Sequence, residues 1–405
     1  MTTPPTPPNP ESALNAAAPL SIEEPGDALA LVQHTFGHIP EDSLVLIGLL
    51  NGTTGGHLRV DLPDGTEQSQ ALGERCAVWL AGPEASPVPE AVLAVIFDSA
   101  VPDNDVPDTH DALLDALAEG LLLEAGARLI KVWHCGAGYI RDYGCCDDHC
   151  CPYPGEDAGA ALAAALRRVP ALAGTRAYSP GESVEAFLSV SPLITEEQIN
   201  AVRNHPAPSP QLPDAVLTLW DAALRRGIRE REGAGGPDRH WAQMAPGSAS
   251  ALLGTLDNPA HTGRLMVLTT VGLEAAVTYS HDGPERAAGL GHAVWGASEL
   301  PPDWERVDAL DDLLHQLVPC AQGCQTEQIL GLKAWLEWIR GRGSNATAFA
   351  EKVRSLTPGA WNSKTGPPLA RVVLTCMAAV GVCPWARVKQ SSYSWWASNR
   401  ERISR

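Results

Sequence analysis

Short apolar runs alternating with helical stripes constrain the fold of this chain more than any other feature. Ser43 to Leu50 reads SLVLIGLL and Ala91 to Phe97 reads AVLAVIF, neither with a charged residue. Such runs are strands, and their lack of alternation means that both faces are covered. Arg128 to His134 reads as a further strand. Tyr139 to Tyr143 reads as another, after the turn Gly136-Ala137-Gly138. His57 to Leu62 reads as a strand joined to the first through a wide loop at Asn51-Gly52. A helical stripe of Ala28, Leu29, Leu31 and Val32 precedes them, and helical patterns at 66–80, 110–125 and 157–172 lie between or after them. Strands alternating with helices predict an α/β N-terminal domain, a mixed sheet with flanking helices.

Beyond about residue 195 the pattern is helical: 195–204, 214–231, 305–318, 326–341, 344–355 and 367–380. The stretch 261–282 is ambiguous, because its apolar core Val267 to Val271 is short and partly β-branched. The expected organisation is a Pro-rich tail over 1–17, an α/β domain over 18–195 and a linker over 196–213. An all-α helical domain over 214–386 and a basic, Trp-containing tail over 387–405 follow. The hairpin 326–358 has the spacing of one tetratricopeptide-like unit, a single repeat that cannot bury its own face.

Charge and composition exclude some classes. The formal charge of −19 repels nucleic acid and anionic membrane. No apolar run approaches the ~20 residues needed to span a bilayer. The N-terminus lacks the basic-then-apolar order of a secretory signal, so a cytoplasmic, reducing address is expected. Ten cysteines there point to thiols or a metal before a disulfide framework.

Four of those cysteines crowd into Cys145-Cys146-Asp147-Asp148-His149-Cys150-Cys151-Pro152. Cys145, His149, Cys150 and Cys151, with Cys146, Cys135 or His134 nearby, could supply the four tetrahedral ligands of Zn²⁺. A short-range disulfide, a redox-sensing thiol and plain packing under a loop also fit. A second candidate is the acidic run from Asp98 through Asp103 and Asp105 to Asp108. Asp98 ends a buried strand, and ligands of α/β sheets collect at carboxyl ends of parallel strands. Asp98, Asp103 and Asp105 could hold Mg²⁺ there. The alternative is a solvated loop whose Asp108 or Thr109 caps the next helix. Asp27 fits the first turn of its helix, where negative charge is favoured. In the C-terminal tail, Trp395 and Trp396 beside arginines suit docking on the chain's own acidic surface or on a protein partner.

The segment Pro25-Gly26-Asp27-Ala28-Leu29-Ala30-Leu31-Val32, with Gly37, Pro40, Glu41, Asp42, Ser43, Leu44 and Val45, resembles the opening of a bacterial family. That family is catalogued as domain of unknown function 4192. Tyr143, Cys145, Cys150, Cys151 and Pro152 resemble its second motif. Ala334, Trp335, Trp338, Gly341, Gly343, Ala346 and Ala350 resemble its third. The resemblance runs from about residue 20 to 380. Neither a GxSxG, a P-loop lysine motif nor an HExxH is present. The functional expectation is a non-enzymatic regulatory or adaptor protein with a structural or metal-binding cysteine loop. The alternatives are a hydrolase or nucleotide-processing enzyme acting at Asp98, and a thiol redox sensor.

Overall fold

The computed structural model describes residues 22, 24–63, 65–82, 88–98, 109–145, 153–172, 179–190, 194–205, 212–232, 245–286, 293–298, 300–362 and 366–403. Asp103, Asp105, His149, Cys150 and Cys151 lie outside them, as do the tail 1–17 and the proline stretch 206–211. The chain divides into two compact units, Met1–Ala177 and Tyr178–Arg405. Among the described residues, no helix is long and apolar enough to cross a membrane.

The first unit is built on α1 (Pro25–Phe36), β1 (Ser43–Leu50), β2 (Thr53–Asp61), α2 (Thr66–Ala81), β3 (Ala91–Phe97), α3 (Asp111–Ala125), β4 (Arg128–Cys135), β5 (Tyr139–Asp142), β6 (Glu156–Asp157) and α4 (Ala158–Arg168). The six strands form one mixed sheet in the order β2-β1-β3-β4-β5-β6. Only β3 and β4 run parallel, joined through α3; the other neighbours are antiparallel. The fold class is therefore the one that the alternating pattern predicts.

The hairpin β1–β2 differs from its expectation. Its turn is tight, and β2 starts at Thr53. Asn51 and Gly52 have φ of 51° and 72°. Two successive positive φ angles match the right-handed twist of the flanking strands, and Asn-Gly supplies them at little cost.

Side chains alternate across the sheet. Val45, Ile47, Leu93, Val95, Phe97, Trp133, Cys135 and Ile140 join Ala28, Leu29, Leu31 and Val32 of α1 in one core. The other face, with Leu44, Leu46, Val92, Ala94 and Ile96, is equally buried, on the side of α2 and α3. Those two helices approach so closely that a Cβ on Gly73 would lie 2.7 Å from the Leu113 carbonyl oxygen. Asp27 serves α1 itself: its carboxylate accepts the Glu24 N–H at 3.1 Å and pairs with Arg168 of α4 at 2.6 Å.

The second unit is helical. Its core gathers Trp220, Trp304, Trp335, Trp338, Phe349 and Trp385, together with Val184, Phe187, Ile199 and Val202 from the helices Pro180–Leu188 and Glu196–Arg203. The ambiguous stretch resolves as two helices, Ala260–Thr270 and Leu273–Arg286. Thr269 and Thr270 turn their hydroxyls back to the carbonyls of Leu265 and Met266, which satisfies them without leaving the helix. Trp335 and Trp338 are 0% and 1% exposed. They are core residues. The C-terminal helix Tyr393–Ile403 packs Tyr393 and Trp396 against this core.

Candidate metal centre at the ends of the parallel strands

Asp98 follows the last residue of β3, and its N–H continues the parallel ladder by donating to the Cys135 carbonyl at 3.0 Å. Ile96 is in register with His134 of β4. Alternation then sends His134 and Asp98 to the same face, the face of α3. Chain reversal brings α3 back over that edge, with His110 at its N-cap position. The N-cap position falls to His110 and not to Thr109, without a side-chain cap bond, and the other expected cap, Asp108, lies outside the described residues.

Three ligand-type side chains thus converge from three elements. His110 Nε2 and Asp98 Oδ2 are 3.0 Å apart, with side chains 14% and 21% exposed. One ligand atom each from Asp98, His110 and His134 can be chosen so that all lie within 4.8 Å of one another. Zinc bonds of ~2.0–2.2 Å set tetrahedral ligand atoms roughly 3.5 Å apart, so small side-chain rotations would close the set on an ion. The His134 Nε2 is buried and has no hydrogen-bond partner among the described residues. Burial, then the neighbouring His110, lowers the His134 pKa against the opposing pull of Asp98. The imidazole is therefore neutral at physiological pH, as a ligand must be.

Two tyrosines complete the surroundings. The Tyr143 hydroxyl accepts the His110 backbone N–H and donates to Asp111 Oδ1 at 2.9 Å. The Tyr139 ring stands edge-on to His134, centroids 5.7 Å apart. Burial first, with nearby Tyr153 and Asp98 adding to it, raises the Tyr139 phenol to about 12. It stays a hydroxyl.

Of the residues singled out in the sequence, the structure brings Asp98 into this group and puts Cys145 two positions beyond Tyr143. Arg141 donates to the Cys145 carbonyl. His110 was no candidate in the sequence, and His134 entered only as a neighbour of the cysteines. A family model now bears on the region: it spans residues 25–360 and therefore includes every residue of this site. The chain belongs to the family described as Domain of unknown function (DUF4192). The match covers the whole sheet and most of the helical unit, and ends before the C-terminal helix. No curated protein and no solved structure matches the chain.

Proposed function

We propose that the N-terminal unit binds a divalent transition metal, zinc foremost, through Asp98, His110 and His134, and uses it in hydrolysis. The observation that carries this reading is the convergence of two imidazoles and one carboxylate within 4.8 Å, at the carboxyl ends of the two parallel strands. Two imidazoles favour zinc, iron or nickel over the all-oxygen shell that Mg²⁺ prefers. Three protein ligands leave a coordination position for water or a substrate oxygen, the arrangement of catalytic zinc. The ion would supply polarisation of a bound oxygen; the chain supplies the cradle and its burial.

Metal content and chelator competition on the full chain test this. About one zinc per chain is expected, lost in His110→Ala and His134→Ala. Zinc retained in both, but lost in Cys150→Ser with Cys151→Ser, would assign the ion to the cysteine loop and reject the site. Failure to bind zinc at all would reject both assignments.

A further inference from the structure

The hydroxyl of Tyr139 is the second buried polar atom of this recess without a hydrogen-bond partner among the described residues. The residue is only 6% exposed. Its direction follows from the ladder. Asp98 stands beside position 136, two residues past the Ile96–His134 register pair. Side chains at 98, 134 and 136 therefore share a face. Position 136 is glycine, and a Cβ built on it would lie 2.1–2.2 Å from the ring and hydroxyl atoms of Tyr139. The phenol thus fills the volume that a side chain at 136 would occupy. That volume adjoins Asp98 and lies one pleat beyond His134. Arg141, in register with His134 across β4–β5, flanks the same face.

An unpaired buried hydroxyl costs stability unless something completes it. Neither His134 Nε2 nor Asp98 serves as its partner, although both border it. We infer that Tyr139 donates a hydrogen bond to the oxygen held at the open position of the Asp98–His110–His134 site, a bound water or the oxygen of an anionic substrate. This rests on the metal reading above. Gly136 belongs to the same device, because only a residue without a Cβ admits the phenol.

Full-chain protein loaded with Co²⁺, a visible stand-in for zinc, tests the inference when titrated with sodium formate. Formate is an oxyanion small enough to reach the open position, and the cobalt absorption bands report its binding. Tyr139→Phe should keep Co²⁺ with unchanged affinity but bind formate about tenfold more weakly, the usual worth of one hydrogen bond to a charged acceptor. Gly136→Ala, which displaces the ring, should show the same loss while Tyr139 itself is intact. Unchanged formate affinity in Tyr139→Phe would overturn the inference. So would loss of Co²⁺ from that variant, which would make Tyr139 a ligand. A wild-type protein that takes up no Co²⁺ would remove the metal reading and this inference together, whereas cobalt bound without any response to formate removes this inference alone.

Discussion

The Tyr143 hydroxyl accepts a hydrogen bond from the His110 backbone N–H at 3.1 Å. It donates in turn to Asp111 Oδ1. One phenol thereby ties the end of β5 to the first turn of α3 and fixes where that turn presents the His110 imidazole. Tyr143 is also the tyrosine of the Tyr-x-Cys motif by which the sequence resembles its family. The tyrosine of the motif therefore reaches the candidate metal site through a hydrogen bond.

Tyr143→Phe should accordingly weaken zinc binding by roughly 10–100-fold, as removal of outer-shell partners does. The accompanying stability loss should be ~1–2 kcal/mol, because two hydrogen bonds end on that oxygen. Chelator competition and urea unfolding measure the two effects separately. An unaltered zinc affinity would show that Tyr143 only caps the helix.

Acid should weaken the first unit through His57. Burial, with a smaller contribution from His34, lowers its pKa from 6.5 to about 4. The unfolded chain then takes up a proton below pH 6.5 that the folded chain refuses until pH 4. Stability is complete above pH 6.5 and falls as pH drops toward 4, by up to ~3 kcal/mol. Its Nδ1 is buried without a partner among the described residues. His57→Leu should therefore flatten the decline across that window without lowering stability at pH 7.5. Thermal melts at intervals from pH 7.5 to 4 would show it, and an undiminished decline in the variant would exclude His57 as its source.

Much of the frame was legible in the sequence. SLVLIGLL and AVLAVIF are too apolar and too short to be anything but buried strands, and Asp98 could be placed at a strand end by counting. The rest depended on pairing. That β3 lies parallel to β4, with Ile96 beside His134, is a long-range choice that no local pattern carries. Without that register, His134 is one polar residue in a strand and His110 one residue before a helix. The turn at Asn51-Gly52 is legible but its tightness is not, because the following Thr53 to Gly56 lacks apolar residues, although an edge strand needs few. The helix over 260–270 was ambiguous because its threonines look like strand formers until their hydroxyls are seen bonding back along the helix.

The helical unit should be sensitive to loss of one buried arginine. The Arg340 side chain, 3% exposed, pairs with Asp308 at 2.8 Å, Asp311 at 2.6 Å and Glu337 at 3.4 Å. Burial alone would raise the Glu337 carboxyl, but Lys333, Arg342 and Arg340 outweigh it and draw its pKa down to about 2. Arg340→Met leaves buried carboxylates short of a partner and should cost ~3–5 kcal/mol. The sign of the pH effect follows: the stability from Glu337 is complete above its unfolded pKa of 4.5 and is lost as pH falls from there toward 2. Urea unfolding followed by tryptophan fluorescence reads both, and a loss under 1 kcal/mol would mean that the network relaxes around the gap.

The C-terminal segment should stabilise the helical unit from within the same chain. Tyr393 donates its hydroxyl to Asp308 Oδ1 at 2.9 Å, and Arg340 lies over its ring at 4.9 Å. Trp304 meets the ring edge-on at 5.3 Å, and Trp396 lies 5.6 Å away on its own helix. The aromatic anchor thus closes over the ionic network that holds Arg340, and each protects the other from water. Tyr393→Phe removes only the hydrogen bond to a charged acceptor and should cost ~1.5–3 kcal/mol. Deleting residues 388–405 removes the ring as well and should cost more. Equilibrium unfolding of the two variants checks the order. If the deletion leaves the unfolding midpoint where it was, docking in cis contributes nothing to stability, and the aromatic residues of the tail are held in reserve for a protein partner.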